Sequence, residues 1–388
     1  MNRGFYIIIL AQFFSALADN ALLFAAIALL KLLDSPQWHE PLLREFFVLS
    51  YIVLAPFVGA FADAIPKGRV MLASNSIKMI GCFAMLLGMQ PLYSFAIVGI
   101  GAAAYSPAKY GILTEILPSR LLVMANSWME GSTVVAIIIG FVLGGIASST
   151  SPYFAIKMIA GLYLVAAIFN LFIPYVPIDH KMPKRDPAYV LHDFWHVFKL
   201  LWKDQQGKIS LAVTTLFWGV GATLQFVVIN WSSHALNFSV KEAGYLMAIV
   251  AFGIAVGSLL AAKYIKLEDA VKAIPAGVMM GLLVVFMSFV TSWKIAAAAL
   301  FFIGALGGFF VVPLNALLQH RGHVLMGAGH SIAVQNFNEN IGILILLGCY
   351  AVMLKTEMNI DWIVILFGLF ISATMMLIYG LSRKILSR

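Results

Sequence analysis

The chain has 388 residues, of which 62% are hydrophobic and only 11% are charged, against roughly 25% charged residues in an ordinary soluble domain. This composition excludes a soluble globular protein. It predicts an all-α polytopic membrane protein, because helices satisfy their own backbone hydrogen bonds in lipid. The formal net charge of +8 is interpreted as contact with the membrane's anionic lipids, and no nucleic acid is expected as a partner.

Twelve stretches of the chain are apolar enough to cross a bilayer, for which about 20 residues are needed. In chain order they cover residues 5–33, 44–65, 70–90, 92–115, 121–148, 154–177, 209–236, 241–263, 271–291, 294–319, 326–354 and 359–382. The first is expected to remain as a helix, because it is too long for a signal peptide and lacks a small-residue cleavage site.

Positive charge decides the predicted orientation of these spans. If the N-terminus is inside, 18 of the 25 Lys and Arg residues lie in cytoplasmic segments or at cytoplasmic span ends. Cytoplasmic loops of membrane proteins carry the excess of positive charge. The sequence therefore predicts twelve transmembrane helices with both termini in the cytoplasm.

The longest polar break divides the chain into an N-terminal six-helix half (1–177), a cytoplasmic linker (178–208) and a C-terminal six-helix half (209–388). Large apolar residues recur at helical spacing in the linker, with Lys199 and Lys203 between them: Phe194, Trp195, Phe198, Leu201 and Trp202. This pattern is typical of an amphipathic helix at a membrane interface. A linker helix packed on the protein itself is the alternative.

The two halves share weak internal similarity. Asn126 precedes Glu130 by four residues in span five, and Gln335 precedes Glu339 by four in span eleven, with an offset of 209 between the two pairs. Two six-helix halves in parallel repeat, joined by a long cytoplasmic loop, describe the major facilitator architecture.

Asp19 lies near the middle of the first span. A carboxylate at that depth costs about 2.5 to 3.5 kcal/mol on insertion scales, and such residues face a bundle interior or a water-filled cavity. We therefore expect Asp19 to face a transport pathway. A carboxylate that a neighbouring helix satisfies for packing alone is the alternative.

Other polar residues within the spans complete a predicted substrate cavity. Its candidate members are Asp19, Asn20, Lys78, Tyr105, Lys109, Glu130, Gln225, Gln335, Asn336 and Glu339. Interhelical hydrogen bonds explain the amides equally well, at about 0.6 kcal/mol each. Protonation of Glu130 and Glu339 at rest is a further alternative, because burial raises carboxylate pKa values.

The loop between spans two and three reads GAFADAIPKGR from Gly59 to Arg69. It resembles the major facilitator signature Gly-x-x-x-Asp-(basic)-x-Gly-Arg with one residue inserted. That signature implies a cytoplasmic gate, in which a small glycine also lets two helices approach closely. The candidate gating residues are Gly59, Asp63, Lys67, Arg69 and Glu115.

Motifs of catalysis are missing from the sequence. It contains no Walker A loop, no Gly-x-Ser-x-Gly elbow and no cluster with metal-ligand spacing. We therefore expect no enzymatic activity, no ATP as a driving force, and neither a cofactor nor a metal.

Several longer runs resemble one family. They are DNALLF at 19–24, YSPAKYGIL at 105–113, VVPLNALLQ at 311–319, and the span-eleven run from 333 to 340. Together they resemble the bacterial lysophospholipid transporter family LplT of the major facilitator superfamily, and the resemblance covers nearly the whole chain.

The resemblance implies a flippase of the bacterial inner membrane that moves lysophosphatidylethanolamine and related lysolipids inward by alternating access. It also implies a cytoplasmic partner, an acyltransferase–acyl carrier protein synthetase that re-acylates the delivered lipid. By the same resemblance, Asp19 and Lys109 are expected to be functional. Related members have an arginine in span seven where this sequence has Gln225. Asp19 must therefore find another partner, with Lys78 or Lys109 as candidates, or bind the substrate's ammonium head group directly. An Asp19 left without a compensating charge is expected to favour a cationic amine.

Two other functions remain open at the level of sequence. One is a proton-coupled exporter of amphipathic drugs or metabolites that uses Asp19, Glu130 or Glu339 as its proton site. The other is a membrane scaffold that recruits a cytoplasmic enzyme through residues 178–208.

Overall fold

A computed structural model describes residues 3–35, 39–176, 186–238 and 240–386. Within these ranges the chain forms thirteen α-helices and no strand. They are α1 (Arg3–Leu32), α2 (His39–Ala64), α3 (Lys67–Leu86), α4 (Pro91–Ile116), α5 (Leu122–Thr150), α6 (Pro152–Leu171), α7 (Pro187–Lys203), α8 (Gln205–Leu236), α9 (Val240–Tyr264), α10 (Ile274–Met287), α11 (Trp293–Met326), α12 (Ala328–Lys355) and α13 (Ile360–Leu386).

The predicted all-helical fold is confirmed. Each of the twelve predicted spans overlaps one helix, and α7 is the additional helix of the linker, whose first residues (178–185) lie outside the described ranges. Ten helical segments of the described chain are long and apolar enough to cross a membrane. Helices α3 and α4 are not among them, since charged, small and polar residues dilute their hydropathy. The count of twelve crossings and the orientation of the termini therefore stay predictions.

Local sequence signals set the helix boundaries. The Ser151 side chain accepts a hydrogen bond from the Phe154 N–H at the start of α6, where Pro152 occupies the first turn, a position that needs no N–H donor. Gly327, with φ of 96°, separates α11 from α12. Glycine adopts this left-handed conformation without the steric cost that a Cβ brings.

Contacts divide the chain into two compact units. The first comprises Met1–Pro118, Val135–Leu201 and Gly322–Phe337, and the second comprises Ser119–Val134, Trp202–Arg321 and Asn338–Arg388. The boundaries fall inside α5, α11 and α12, not only in the linker. The division into sequence halves 1–177 and 209–388 remains a prediction about repeats.

The first unit is built on α1, α3, α4 and α6. Helix α1 packs against α6, α3 packs against α4 and α6, and α2 packs against α4. Small residues on α1 such as Ala18, Ala21 and Ala25 are fully buried beside Ile156 and Tyr163 of α6. This close packing surrounds the polar residues that α1, α3 and α4 carry.

In the second unit, four glycines allow α9 and α11 to cross with their backbones in contact. A Cβ added at Gly253 or Gly257 would collide with backbone atoms of α11, including the Ala305 carbonyl oxygen at Gly257. A Cβ at Gly304 or Gly308 would collide with backbone carbonyls of α9. Such small-residue pairs four apart are a common device for close helix packing in membranes.

We expect Gly257→Val to lower the stability of the purified protein by about 1 to 3 kcal/mol or more, because overpacking forces the two backbones apart. The matched control is Gly244→Val on the same helix, where an added Cβ meets nothing within 4 Å. Thermal unfolding in detergent measures both variants. Equal midpoints for the two would contradict the crossing geometry.

Candidate functional site

A buried ion pair joins α1 to α3 in the first unit. The Lys78 ammonium lies 2.8 Å from Asp19 Oδ2. The Lys78 side chain is 1% exposed and that of Asp19 is 21% exposed. In a medium of low polarity two opposite charges at this distance neutralise each other strongly, and neither is stable there alone.

Neighbouring polar groups satisfy both members of the pair. Tyr163 of α6 donates its hydroxyl to Asp19 Oδ1 at 2.7 Å, so both carboxylate oxygens are hydrogen-bonded. Lys78 also donates to Ser15 Oγ at 3.0 Å, and Ser15 donates to Asn75 Oδ1 at 2.7 Å. We call Ser15, Asp19, Asn75, Lys78 and Tyr163 the Asp19 network.

Helical spacing explains how these groups meet. Ser15 and Asp19 are four residues apart on α1, and Asn75 and Lys78 are three apart on α3, so each pair shares a face. A Cβ at Gly101 of α4 would lie 2.8 Å from Lys78 Cγ. Gly101 therefore leaves the space through which the lysine side chain reaches α1.

Ser15, Asp19 and Lys78 of the Asp19 network line one side of a polar cavity of about 60 Å³. The lining residues are Gln12, Ser15, Ala16, Asp19, Tyr51, Lys78, Ala102, Tyr105, Ser106 and Lys109. The Lys78 ammonium lies 4.9 Å from the centroid of the Tyr105 ring, within cation–π range. A cavity with a carboxylate, two ammonium groups and aromatic rings suits a small zwitterionic or anionic group.

Four of the sequence-predicted cavity residues line this cavity: Asp19, Lys78, Tyr105 and Lys109. Asn336 of α12 is linked to it, because its amide donates to Ser106 Oγ at 2.9 Å. Asn20 does not line it. The Asn20 amide donates to the Ala16 carbonyl of its own helix.

The remaining candidates lie elsewhere. Gln335 is buried in the first unit, and Glu130, Gln225 and Glu339 belong to the second unit, where both glutamates are buried. In that unit the amides of Asn126 and Gln319 form a reciprocal pair at 2.9 and 2.8 Å. The sequence did not predict this pairing of α5 with α11.

The structure decides between the alternatives for Asp19 that the sequence left open. Gln225 stands in place of a family arginine, and Lys78 supplies the positive charge within the first unit. Asp19 therefore does not need a substrate amine for neutralisation. The head-group preference derived from an uncompensated charge no longer follows.

Tyr163 and Ser15 were not among the predicted cavity residues, and Asn75 was expected only as an uncharged polar neighbour of the cavity. Ser15 and Asn75 carried a usable signal, because each stands on the same helical face as a charged residue within a span. Tyr163 carried none, since a single tyrosine in an apolar span does not reveal which helix it faces.

A second cluster forms where α2 ends and α12 begins. The Asp63 carboxylate accepts hydrogen bonds from the backbone N–H groups of Gly329 and His330 at 2.8 and 3.0 Å. His330 Nδ1 lies 2.6 Å from Asp63 Oδ2. The first N–H groups of a helix have no partner within the helix, and its positive end favours an anion. Asp63 is thus an N-terminal cap supplied to α12 by another helix.

Lys67 connects this cap to α4. Its ammonium lies 3.1 Å from Asp63 Oδ1 and 2.5 Å from Glu115 Oε1, and all three side chains are buried. Of the predicted gating residues, Asp63, Lys67 and Glu115 are brought together. Arg69 is exposed and takes no part in these contacts. A gating role for Arg69 remains a prediction without a contact to support it.

Two glycines make the approach of α2 to α12 possible. A Cβ at Gly59 would lie 2.9 Å from Ala333 Cβ and 3.0 Å from His330 Cα. A Cβ at Gly329 would lie 2.6 Å from Asp63 Oδ1. The small residue predicted at position 59 therefore has a direct packing reason, and Gly329 is a position that the sequence analysis missed.

A third polar contact, in the second unit, joins the start of α8 to α11. Asp204 accepts from the Gly207 N–H at 2.8 Å and from Arg321 Nη2 and Nε at 2.5 and 3.1 Å. Partial burial by itself would raise the pKa of Asp204, but the bonds from Arg321 and Gly207 lower it below its usual 3.8. This contribution to stability is present above pH 3.8 and is lost as the pH falls through the lowered pKa.

No group of three or more His, Cys, Asp or Glu side chains that could hold a metal occurs in the described ranges.

Comparisons with known proteins agree on one superfamily. A family model described as Major Facilitator Superfamily matches residues 8–346. The chain is 45% identical over 356 residues to a protein of Yersinia pestis (strain Pestoides F) named "Lysophospholipid transporter LplT", covering 92% of this chain and 88% of the relative. It has the same identity and coverage with a relative of that name from Yersinia pseudotuberculosis serotype I (strain IP32953).

Solved structures share the fold at low sequence identity. The human organic anion transporter MFSD10 superposes with a TM-score of 0.76 at 16% identity, covering 98% of this chain and all of that one. A bacterial homologue of the iron transporter ferroportin in an outward-facing state superposes with a TM-score of 0.77 at 15% identity, covering both chains fully. Both likenesses establish the fold alone.

We expect Lys78→Met to destabilise the protein by about 3 to 5 kcal/mol, because it leaves the Asp19 carboxylate buried without its partner. The double variant Asp19→Asn/Lys78→Met removes both charges and should recover most of this loss. Yield and thermal unfolding of the purified variants are the measurements. Lys294→Met, at an exposed lysine, is the matched control. A double variant as unstable as Lys78→Met would contradict the pairing.

We expect Asp63→Asn to loosen the start of α12, because an amide removes the anion that caps the helix. The reporter is Ser331→Cys, at a fully buried position in the first turn of α12, with the exposed Cys349 replaced by serine. Its rate of labelling by a hydrophilic maleimide should rise several-fold in Asp63→Asn and stay unchanged in Arg69→Gln. Equal rates in Asp63→Asn and the parent would refute the cap.

Proposed function

Since the chain belongs to the major facilitator superfamily and, within it, to the family of the lysophospholipid transporter LplT, we propose that it is a lysophospholipid flippase. It is a multi-pass membrane protein, and its relatives are named as transporters. The proposed substrates are lysophosphatidylethanolamine and related lysolipids. We propose that the protein transports these lipids and does not change them chemically.

The polar cavity of the first unit carries this proposal. A lysolipid head group presents a phosphate, and in lysophosphatidylethanolamine also an ammonium group. Lys109 on the cavity wall is the proposed contact for the phosphate, and the Asp19 carboxylate beside Tyr51 and Tyr105 is the proposed contact for the ammonium. Asp19 keeps part of its surface exposed although it is paired, so a second cation can approach it.

This arrangement allows the substrate head group to be bound and also to be released. The Lys78 ammonium already neutralises Asp19, so a substrate amine gains a charge-assisted contact without meeting an isolated buried anion. A transporter must release its cargo as well as bind it. A pre-neutralised carboxylate supports moderate affinity, which suits a site that loads on one face of the membrane and unloads on the other.

We call Asp63, Lys67, Glu115, Gly329 and His330 the Asp63 cluster. Its contacts support alternating access as the mechanism. One carboxylate joins α2 to the start of α12, and Lys67 extends the contact to Glu115 on α4. We propose that these contacts form the cytoplasmic gate and break when the pathway opens to the cytoplasm. They are ion pairs and hydrogen bonds between helix ends rather than an interdigitated apolar core.

Direction, location and partner are also proposals. In the proposed pathway the protein lies in the bacterial inner membrane and moves lysolipid inward. An acyltransferase–acyl carrier protein synthetase then re-acylates the lipid in the cytoplasmic leaflet. These statements rest on the family and are independent of the geometry of the cavity.

We expect Asp19→Asn and Lys109→Gln each to reduce transport at least tenfold, a loss of about 1.4 kcal/mol of differential binding. The measurement is uptake of labelled lysophosphatidylethanolamine by proteoliposomes, at equal amounts of folded protein. The exposed Lys294→Gln is the control and should keep normal uptake. Unimpaired uptake by Asp19→Asn would reduce Asp19 to a packing residue.

The same assay distinguishes the alternatives. A proton-coupled exporter would move no lysolipid and would show efflux of amphipathic compounds that a protonophore abolishes. A scaffold would show neither activity. Lysolipid uptake that a protonophore leaves unchanged supports the flippase.

A further inference from the structure

The linker helix α7 divides its apolar residues between two surfaces. Val190, Phe194, Val197 and Leu201 are buried against the first unit. Phe194 makes an edge contact with Phe337 of α12, with ring centroids 5.5 Å apart. This surface accounts for the helix being packed on the protein.

A second apolar surface of α7 stays partly exposed, although the Trp195 ring also makes an edge contact with Phe337, with ring centroids 6.0 Å apart. Leu191 is 45% exposed, Trp195 is 43% exposed and Trp202 is 39% exposed. At 3.6 residues per turn these three positions lie within about 40° of one another on the helix. We call them the Trp195 face.

Basic residues border the Trp195 face on the side away from the protein. Lys199 and Lys203 lie about 40° and 80° beyond Trp195 around the helix axis, and both are exposed. The acidic Asp193 is turned toward the protein, since its carboxylate lies 3.3 Å from His330 Nε2. The exposed part of α7 therefore combines tryptophan and leucine with positive charge.

The position of α7 in the chain brings this face to the membrane surface. Helix α7 ends at Lys203, and α8, which is long and apolar enough to cross the membrane, begins at Gln205. Trp202 thus lies only three residues before a membrane span. Tryptophan concentrates at the level of the lipid head groups, and lysine side chains extend from there toward anionic phosphates.

We propose that the Trp195 face of α7 binds the anionic phospholipid surface of the leaflet that the linker faces, which is cytoplasmic in the predicted topology. Its apolar residues insert at the head-group boundary, and Lys199 and Lys203 bind lipid phosphates. Each lysine near an anionic membrane surface adds electrostatic attraction to that surface. The inference is independent of the proposed substrate.

Attachment of α7 to the lipid surface would also stabilise the Asp63 cluster, because α7 contacts it. His330 lies between two carboxylates, with Nδ1 2.6 Å from Asp63 of α2 and Nε2 3.3 Å from Asp193 of α7. The Phe194–Phe337 contact adds an apolar link from α7 to α12. A lipid surface that holds α7 in place therefore also supports the start of α12.

The test uses spin labels on the full-length protein with the exposed Cys349 replaced by serine and the buried Cys82 retained. Labels are placed by Trp195→Cys on the face and by His196→Cys, which is also exposed, one residue beyond it. The protein is reconstituted in vesicles of phosphatidylethanolamine with phosphatidylglycerol, or of phosphatidylcholine alone. For each spin label, the rate of collision with oxygen, which partitions into lipid, is compared with the rate of collision with a water-soluble nickel chelate.

In the anionic vesicles the oxygen-to-nickel ratio should be several-fold higher at position 195 than at position 196. The difference should shrink in phosphatidylcholine vesicles and in the Lys199→Gln/Lys203→Gln variant. The pair Leu191→Cys and His192→Cys repeats the comparison one turn earlier, in case a change at position 195 disturbs folding.

Two results would overturn the proposal. One is equal and high nickel accessibility at positions 195 and 196 in both kinds of vesicle. The other is a label at position 195 that is water-exposed in vesicles and becomes shielded when a cytoplasmic protein fraction is added, which would assign the face to a protein.

Discussion

The pairing of Asp19 with Lys78 is the constraint around which the first unit is organised. Two opposite charges are held 2.8 Å apart, with the lysine fully enclosed, and neither is stable in an apolar bundle without the other. Their hydrogen bonds draw α1, α3 and α6 together through Ser15 and Tyr163. Because the pair is neutral as a whole, it can lie at the wall of a cavity with part of the Asp19 side chain exposed.

The contact between α2 and α12 also depends on a buried carboxylate whose charge is compensated. Here a carboxylate meets unpaired backbone N–H groups and the positive end of a helix, and Lys67 compensates the remaining charge. This arrangement needs backbones in close approach, which Gly59 and Gly329 permit. The glycines and the charges therefore work together: a larger residue at either position would push the helices apart and expose the cap.

Amide side chains perform a separate, structural task. Asn126 and Gln319 satisfy each other across α5 and α11, and Asn336 bonds to Ser106 of α4. Interhelical hydrogen bonds of this type contribute little energy each but fix which faces meet. The polar interior thus contains charged groups that line the cavity or join α2 to α12, and neutral groups that set helix packing.

The sequence by itself determined the helical fold, the approximate ends of the helices that overlap its twelve predicted spans, and the superfamily, because length, hydropathy and motif are local properties. It also singled out Asp19, Lys78, Asp63, Lys67 and Glu115, since a charge within or beside a span is conspicuous. Only the tertiary structure decided the partners. Lys78 rather than a residue at position 225 compensates Asp19, and His330 joins Asp63 while Arg69 stays outside, because pairing depends on which helix faces turn toward each other, and helical periodicity alone does not specify that.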